Sequence, residues 1–499
     1  MDGHLLLNAL LPDLVLVVGL FACLTVDYTW LRGRDVAARH AVVSRVAAWT
    51  LIAGLLAGIL GARDSQLLNL NFGDGQLVFT PARLLFKFTA YLLALMIVEL
   101  FANSRPAPAG HVSEHYALLL LSTLGIGFIT TSGHLLSAFV GLELLSLCLY
   151  AMAALDKHRR AGAEAALKYF AIGGLSSAFL LFGLSYLYGV TGELEIAKIA
   201  QHIHTQTTLS PLLGVAFLFI LVGLGFKLAV VPFHLWAPDV YQNAPTAVAA
   251  WVATGSKLGS TVLLVSLLQP AFDTATRTAS PAARPLALAL ATLAVVSMLV
   301  GNLGALRQSN LKRLLAYGSI ASAGYLLVGL VVFSDAGRMA VYFYVLTYAL
   351  ASLGAFAVVA LVSDQLGRDA EIADFRGCWR TMPGVALAFM IFLLSLASIP
   401  PLSGFIGKFA LFFAAIQHTP TTAAWHEGWY WLVAFALVMS VVGLYYYLKV
   451  LRAFLVDDGD PAMPPVRIGT NAAVMLVVLA LLVVALGVWP EPLLQFLRN

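Results

Sequence analysis

Residues 223–259 read GLGFKLAVVPFHLWAPDVYQNAPTAVAAWVATGSKLG. Two apolar segments meet here, with Lys227 and Lys257 inside them, far from any obvious interface. Pro232 lies between them, where a proline removes a backbone donor and breaks the helical ladder. In lipid such a break persists only where protein buries it or where it lines a wet cavity. Ionisable residues at membrane depth mark functional sites by default. Two lysines around a broken helix therefore point to an ion path.

The rest of the chain sets that stretch in a membrane. Of its 499 residues, 61% are hydrophobic and 11% charged, and the mean hydropathy is +0.89. A soluble domain is nearer one quarter charged. The charges cluster between apolar runs of about 18–28 residues, the length that crosses a bilayer. These features define an all-α polytopic membrane protein. The net charge of +4 gives no sign of a nucleic-acid partner. Cys23, Cys148 and Cys378 have neither metal nor disulfide spacing and read as small packing residues. The first apolar run is full length and is followed by Arg32 and Arg34, a retained span rather than a cleaved signal.

About fourteen transmembrane spans are expected, near 10–31, 41–61, 79–101, 113–130, 133–155, 163–190, 211–234, 244–270, 285–306, 311–333, 339–363, 383–416, 429–455 and 468–490. Lys and Arg are concentrated in the loops after spans 1, 3, 5, 9, 11 and 13: Arg32, Arg34, Arg39, Arg105, Lys157, Arg159, Arg160, Arg307, Arg368, Arg376, Arg380, Arg452 and Arg467. The opposite loops hold Arg63, Lys198, Arg277, Arg284, Arg338 and Arg498, with Arg83 at the start of span 3. The positive-inside bias then puts both chain ends outside. Lys312 and Arg313, opening span 10 on the basic side, read as interfacial anchors.

Spans 4–8 and 9–13 form two sets of five. In each, the fourth span is proline-broken and carries a lysine: Lys227 with Pro232, and Lys408 with Pro400 and Pro401. Consecutive units of five spans must face opposite ways, the inverted-repeat plan in which broken helices mark the binding site. The expected divisions are 1–112, an N-terminal three-helix segment; 113–270, the first five-helix repeat; 285–455, the second, inverted repeat; and 456–499, a C-terminal helix. Paired glycines such as Gly54 and Gly58 read as close helix packing.

At ~1.5 Å per helical residue, Glu143 in span 5, Lys227 in span 7 and Lys257 in span 8 fall near the bilayer centre, and Lys408 is also deep. Each costs roughly 2.5–3.5 kcal/mol to insert, so the four cost on the order of 10–14 kcal/mol without partners. Their alternative reading is a set of buried ion pairs that only specify packing. The chemistry also suits proton transfer, because a lysine out of water holds its proton loosely and a nearby carboxylate tightens that hold. The expected order is Glu143 modulating Lys227, Lys227 exchanging with Lys257, and Lys408 as the far station. Lys168, about six residues into span 6, is either a snorkelling side chain or an intake station. His234 is either a titrating link or a polar cap on the freed backbone. No dinucleotide or P-loop motif, iron–sulfur cysteine cluster or haem-spaced histidine pair is present, which leaves redox chemistry to partners.

The runs GFKLAVVPFHLWAPDVYQNAPTAVAAW (225–251), SNLKRLLAYGSIASAGYLLVGL (309–330) and IPPLSGFIGKF (399–409) resemble the antiporter-like subunits of respiratory complex I and of multisubunit cation/proton antiporters. Within that group the chain is similar to the subunit N family of bacterial NADH:quinone oxidoreductases. It has Lys408 where subunit M has a glutamate, YVLTYALASLGAFAVV (344–359) without the histidine and lysine of subunits L and M, and no long lateral helix after span 14.

The resemblance implies a proton-translocating subunit in the bacterial inner membrane, with both ends periplasmic. It implies an enzyme complex in which NADH, FMN, iron–sulfur clusters and quinone are held by partner subunits and no cofactor or metal by this chain. It also matches Glu143, Lys227, Lys257 and Lys408 to the family's proton-channel residues and Lys168 to its span 6 lysine. The alternatives are a subunit of a cation/proton antiporter and a purely structural membrane scaffold. One departure is Ser322 in YGSIASAG, where many relatives carry a histidine.

Overall fold

The computed structural model describes residues 3–63, 71–73, 75–103, 111–155, 160–204, 210–272, 283–417, 428–457 and 469–498. Arg105, Lys157, Arg159, Arg277 and Arg467, which contribute to the charge bias, lie outside the described residues. Among the described residues thirteen helices are long and apolar enough to cross a membrane. The twelfth expected span, 383–416, is instead two shorter apolar helices, Pro383–Leu396 and Ser403–Gln417. The chain is thus a multi-pass helical membrane protein. Its strands among these residues are a two-residue hairpin, Asn71–Phe72 against Leu77–Val78.

Hydropathy locates the spans but not their neighbours. In Thr246–Phe272 and Asp335–Leu366 the most apolar window is buried throughout, whereas in Leu5–Trp30 and Arg160–Thr191 only a third of it is. The centre of the molecule is therefore built from spans 8 and 11, with spans 4 and 10 against them. Lipid-facing helices surround this centre.

One piece of backbone geometry occurs twice. His134 bridges Glu195, and Asn310 bridges Glu371; from 134 to 310 and from 195 to 371 the offset is the same, 176 residues. In the first copy Leu135 N–H donates to Leu194 O (2.9 Å) and Ile196 N–H to Gly133 O (2.9 Å). In the second, Leu311 N–H donates to Ala370 O (3.3 Å) and Ile372 N–H to Ser309 O (2.9 Å). The helices that follow also match: Leu135–Ala154 and Leu311–Leu330 each have 20 residues, and Arg160–Thr191 and Asp335–Leu366 each have 32.

The two broken helices end alike. At the first, Ala229 has φ +58°, its N–H donating to Phe226 O (3.0 Å) while Val230 N–H donates to Gly225 O (2.8 Å). At the second, Ser398 has φ +63°, its N–H donating to Ser395 O (2.9 Å) while Ile399 N–H donates to Leu394 O (3.0 Å). This is the helix-closing arrangement usually given to glycine. Alanine and serine adopt the left-handed region at a cost of about 1–2 kcal/mol.

The freed backbone groups are then satisfied by side chains. Val231 N–H donates to Ser297 Oγ (3.0 Å) and Trp236 Nε1 to Phe226 O (3.1 Å). At the second break Gly404 N–H donates to Ser395 Oγ (3.1 Å). With protein supplying these partners, the breaks meet the requirement that lipid imposes on interrupted helices.

Small residues let the helices approach closely. Gly58 lies under the ring of Phe88, and Gly54 beside Tyr91, as their pairing in the sequence implies. Gly301 faces the backbone of Ala321 with no space for a Cβ. Gly301→Val is therefore expected to push the helix Leu311–Leu330 away and lower the membrane content of folded protein severalfold, read by immunoblot. An unchanged level would contradict this packing.

Candidate functional site

Five lysines are buried among the described residues: Lys87, Lys227, Lys257, Lys312 and Lys408. Two of them have carboxylate partners. Lys87 Nζ lies 2.6 Å from Asp13 Oδ2, and Lys312 Nζ lies 2.7 Å from Asp369 Oδ1. Lys227, Lys257 and Lys408, exposed by only 4%, 3% and 7%, have no carboxylate within 4.0 Å among the described residues. The three lysines singled out by depth in the sequence are thus the three whose charge is not neutralised by an ion pair. Lys312 was expected as an interfacial anchor; it is instead buried against Asp369, because the loop after span 11 folds over the start of span 10.

Lys227 occupies the last turn of Pro211–Leu228. Its Nζ donates to Tyr150 OH at 3.2 Å and sits 4.9 Å from the Tyr150 ring centre, 5.3 Å from that of Phe226 and 5.9 Å from that of Tyr169. Aromatic faces attract a cation without neutralising it. The Tyr169 hydroxyl is buried and has no hydrogen-bond partner.

Tyr150 lies seven residues, two helical turns or roughly 10 Å, beyond Glu143 on the same helix. Glu143 is half-buried and accepts a hydrogen bond from Ser177 Oγ at 2.6 Å. Glu143 and Lys227 do not form an ion pair here; Tyr150, on the Glu143 helix, is the hydrogen-bond partner of Lys227.

Lys257 follows a π-helical turn, Val252–Ser256, of the kind that often accompanies functional sites. Its Nζ donates to Ser319 O and Ser319 Oγ, both at 2.7 Å, and to Ser322 Oγ at 3.0 Å. It also lies 4.7 Å from the Tyr348 ring centre. Ser322, the residue that departs from the histidine of many relatives, is thus a direct partner of this lysine. Ser319 Oγ is in turn 3.5 Å from Tyr241 OH.

Lys408 lies in the helix after the second break, its Nζ 4.0 Å from the Tyr325 ring centre. It borders a small cavity of about 20 Å³, room for about one water. Ser322, Tyr325, Tyr344, Tyr348 and Tyr446 line the same cavity. Two side chains that touch Lys257 therefore open onto the space that Lys408 borders. Asn302, on the far wall, donates to Tyr325 OH (3.2 Å) and accepts from Tyr446 OH (3.3 Å).

Lys168 stands apart from this group. It is exposed and paired with Glu164 (2.9 Å) and Asp239 (3.1 Å). His234 is half-buried, and its Nδ1 has no hydrogen-bond partner; Ser297 and Trp236 supply the caps at the break. Tyr150, Ser319, Tyr325 and Tyr348 were not anticipated. Only Tyr150 had a legible signal, its seven-residue spacing from Glu143. Among the described residues no group of three or more His, Cys, Asp or Glu is placed to hold a metal.

Residues 132–443 match the family described as NADH:quinone oxidoreductase/Mrp antiporter, TM. That match sets the class, the antiporter-type transmembrane proteins. NADH-quinone oxidoreductase subunit N 2 of Acidobacterium capsulatum is 41% identical over 99% of this chain and 98% of its own length. A chain of respiratory complex I from Thermus thermophilus with bound Aureothin is 35% identical, superposes with a TM-score of 0.77 and covers 97% of this chain and 98% of its own. A chain of the Mrp complex from Dietzia sp. has the same fold, at a TM-score of 0.80, over 99% of this chain and 96% of its own, with 23% identity. The chain belongs to the NADH-quinone oxidoreductase subunit N family.

The hydroxyl shell of Lys257 has a measurable consequence. Ser319→Ala removes one acceptor from a buried cation and the link to Tyr241, at an expected cost of about 1–3 kcal/mol. Thermal unfolding in detergent should show the loss, with Ser319→Thr close to the parent protein. Equal midpoints for alanine and parent would show that the hydroxyl does not support the ammonium.

Proposed function

We propose that this chain is a proton-translocating membrane subunit of a bacterial NADH:quinone oxidoreductase of the complex I type, and that protons pass along Glu143, Lys227, Lys257 and Lys408. One observation carries this reading: Lys257 is hydrogen-bonded to Ser322, and Ser322 lines the cavity that Lys408 borders. Among the described residues Lys227, Lys257 and Lys408 have no carboxylate partner, so each can give up its proton without leaving an unpaired anion behind.

The steps follow from the contacts. Glu143 acts on Lys227 across two turns of helix. An ionised Glu143 attracts the ammonium across that span, and the attraction weakens as the separation grows. Tyr150, the hydrogen-bond partner of Lys227, can pass a proton through its hydroxyl. Lys257 exchanges with the Lys227 side through Ser319 and Tyr241, and with Lys408 through Ser322 and water in the cavity. Tyr348 and Tyr325 support the charge on Lys257 and Lys408 without trapping it.

NADH, FMN, iron–sulfur clusters and quinone belong to partner subunits of the complex, and this chain's residues hold and move protons. The matched backbone bridges and helix ends support a repeat of residues 113–270 in 285–455, inverted because each unit has five spans. The spans Leu5–Trp30, Val36–Gly61 and Pro81–Ala102 precede it, and Thr470–Val488 with the short helix Glu491–Arg498 follows it. The charge bias supports the inner membrane of a bacterium with both ends periplasmic.

The test uses the assembled complex in sealed vesicles. Lys257→Ala and Lys408→Ala are expected to assemble and to lower NADH-driven proton pumping at least tenfold, in the range seen when a proton-transfer group is removed. Normal pumping by both would sink the relay and favour a scaffold. Sodium-dependent exchange without NADH would instead assign a cation/proton antiporter.

A further inference from the structure

The short helix Trp236–Asn243 follows the first break and packs between spans 6 and 10. It is held from both sides by charge. Asp239 Oδ2 lies 3.1 Å from Lys168 Nζ on span 6, and Asp239 Oδ1 lies 2.9 Å from Arg313 Nη1 on span 10. Arg313 Nη1 also donates to Gln242 Oε1 at 3.1 Å. Lys312 Nζ donates to Ala244 O, just past the end of the helix, at 3.2 Å.

The start of the same helix is tied to Lys227. Trp236 stacks on Tyr169, ring centres 4.5 Å apart, and Tyr169 is the neighbour in sequence of Lys168. The Trp236 indole N–H donates to Phe226 O, the carbonyl immediately before Lys227. One carboxylate is therefore shared by a lysine of the first five-span unit and an arginine of the second. Its helix fixes the end of the helix that carries a relay lysine.

We propose that Asp239 is a positioning residue that couples the two units. Its division between Lys168 and Arg313 sets the placement of the Trp236–Asn243 helix, and through Trp236 the placement of Lys227. Lys168 is then a partner of the coupling carboxylate rather than a station on the proton path. This rests on the relay reading above.

The experiment measures NADH-driven pumping by the assembled complex carrying Asp239→Asn, Asp239→Glu, Arg313→Gln and the pair Asp239→Asn/Arg313→Gln, with Lys257→Ala alongside. Asparagine keeps the size and hydrogen bonding of the side chain but not the charge, so assembly is expected at the parent level with pumping reduced about five- to tenfold. Glutamate reaches both cations and should retain more than half the parent rate. The double variant should be no worse than the poorer single one, because both substitutions break one connection. Parent-level pumping by Asp239→Asn, equal losses for Asn and Glu, or multiplying losses in the double variant would each overturn the proposal.

If Asp239→Asn fails to assemble, Arg313→Lys and Arg313→Gln decide the matter. Lysine keeps a charge within reach of Asp239 and should pump better than glutamine, whereas equal loss in both overturns the coupling. Lys257→Ala separates the two readings: normal pumping there removes the relay itself, while a loss there with a normal Asp239→Asn removes only the coupling.

Discussion

An ammonium group in a bilayer interior needs something to replace its water, and the replacement decides what it can do. A carboxylate gives a stable pair that holds its proton, as at Lys87 with Asp13 and Lys312 with Asp369. Hydroxyls, a carbonyl and aromatic faces lower the cost of burial but leave the proton free to move. Among the described residues Lys227, Lys257 and Lys408 receive only the second kind of support. The broken helices, the π turn and the tyrosine-lined cavity all lie against these three residues.

This arrangement explains features that are costly in isolation. Ala229 and Ser398 take a backbone conformation that glycine would adopt more easily. Each closes a helix at membrane depth and leaves polar backbone that Ser297, Trp236 and Ser395 must satisfy. A continuous helix would avoid those costs, but it would also seal the centre of the molecule in apolar side chains. The break at Pro232 places Lys227 at a helix end beside Tyr150, and the break at Pro400 and Pro401 places Lys408 beside the cavity. The backbone bridges of His134 with Glu195 and of Asn310 with Glu371 recur at the same 176-residue offset.

Much of this was legible from the residues alone, because span length and hydropathy are local properties. The expected spans agree with the observed helices to within a few residues at most ends, and Pro400-Pro401 falls between the helices Pro383–Leu396 and Ser403–Gln417. The four candidate relay residues stand out by depth. Partners are another matter, since pairing depends on which helices touch. Ser319 reaches Lys257 from 62 residues away, and Lys87 finds Asp13 across 74. Lys87, six residues into its span, gave no sign of being buried, and Lys312 looked like an anchor because its loop partner Asp369 is remote in sequence. The π turn before Lys257 left only a faint trace in the small residues Thr254, Gly255 and Ser256. The departure at Ser322 was readable, but its contact with Lys257 was not.

Proton passage through the cavity between Ser322 and Lys408 is the step on which the whole relay depends. The most direct test is a density map of the assembled complex, detailed enough to show individual waters. Ordered water is expected from Ser322 Oγ to within hydrogen-bonding distance of Lys408 Nζ. A cavity closed by side chains or holding no water along that line would contradict it.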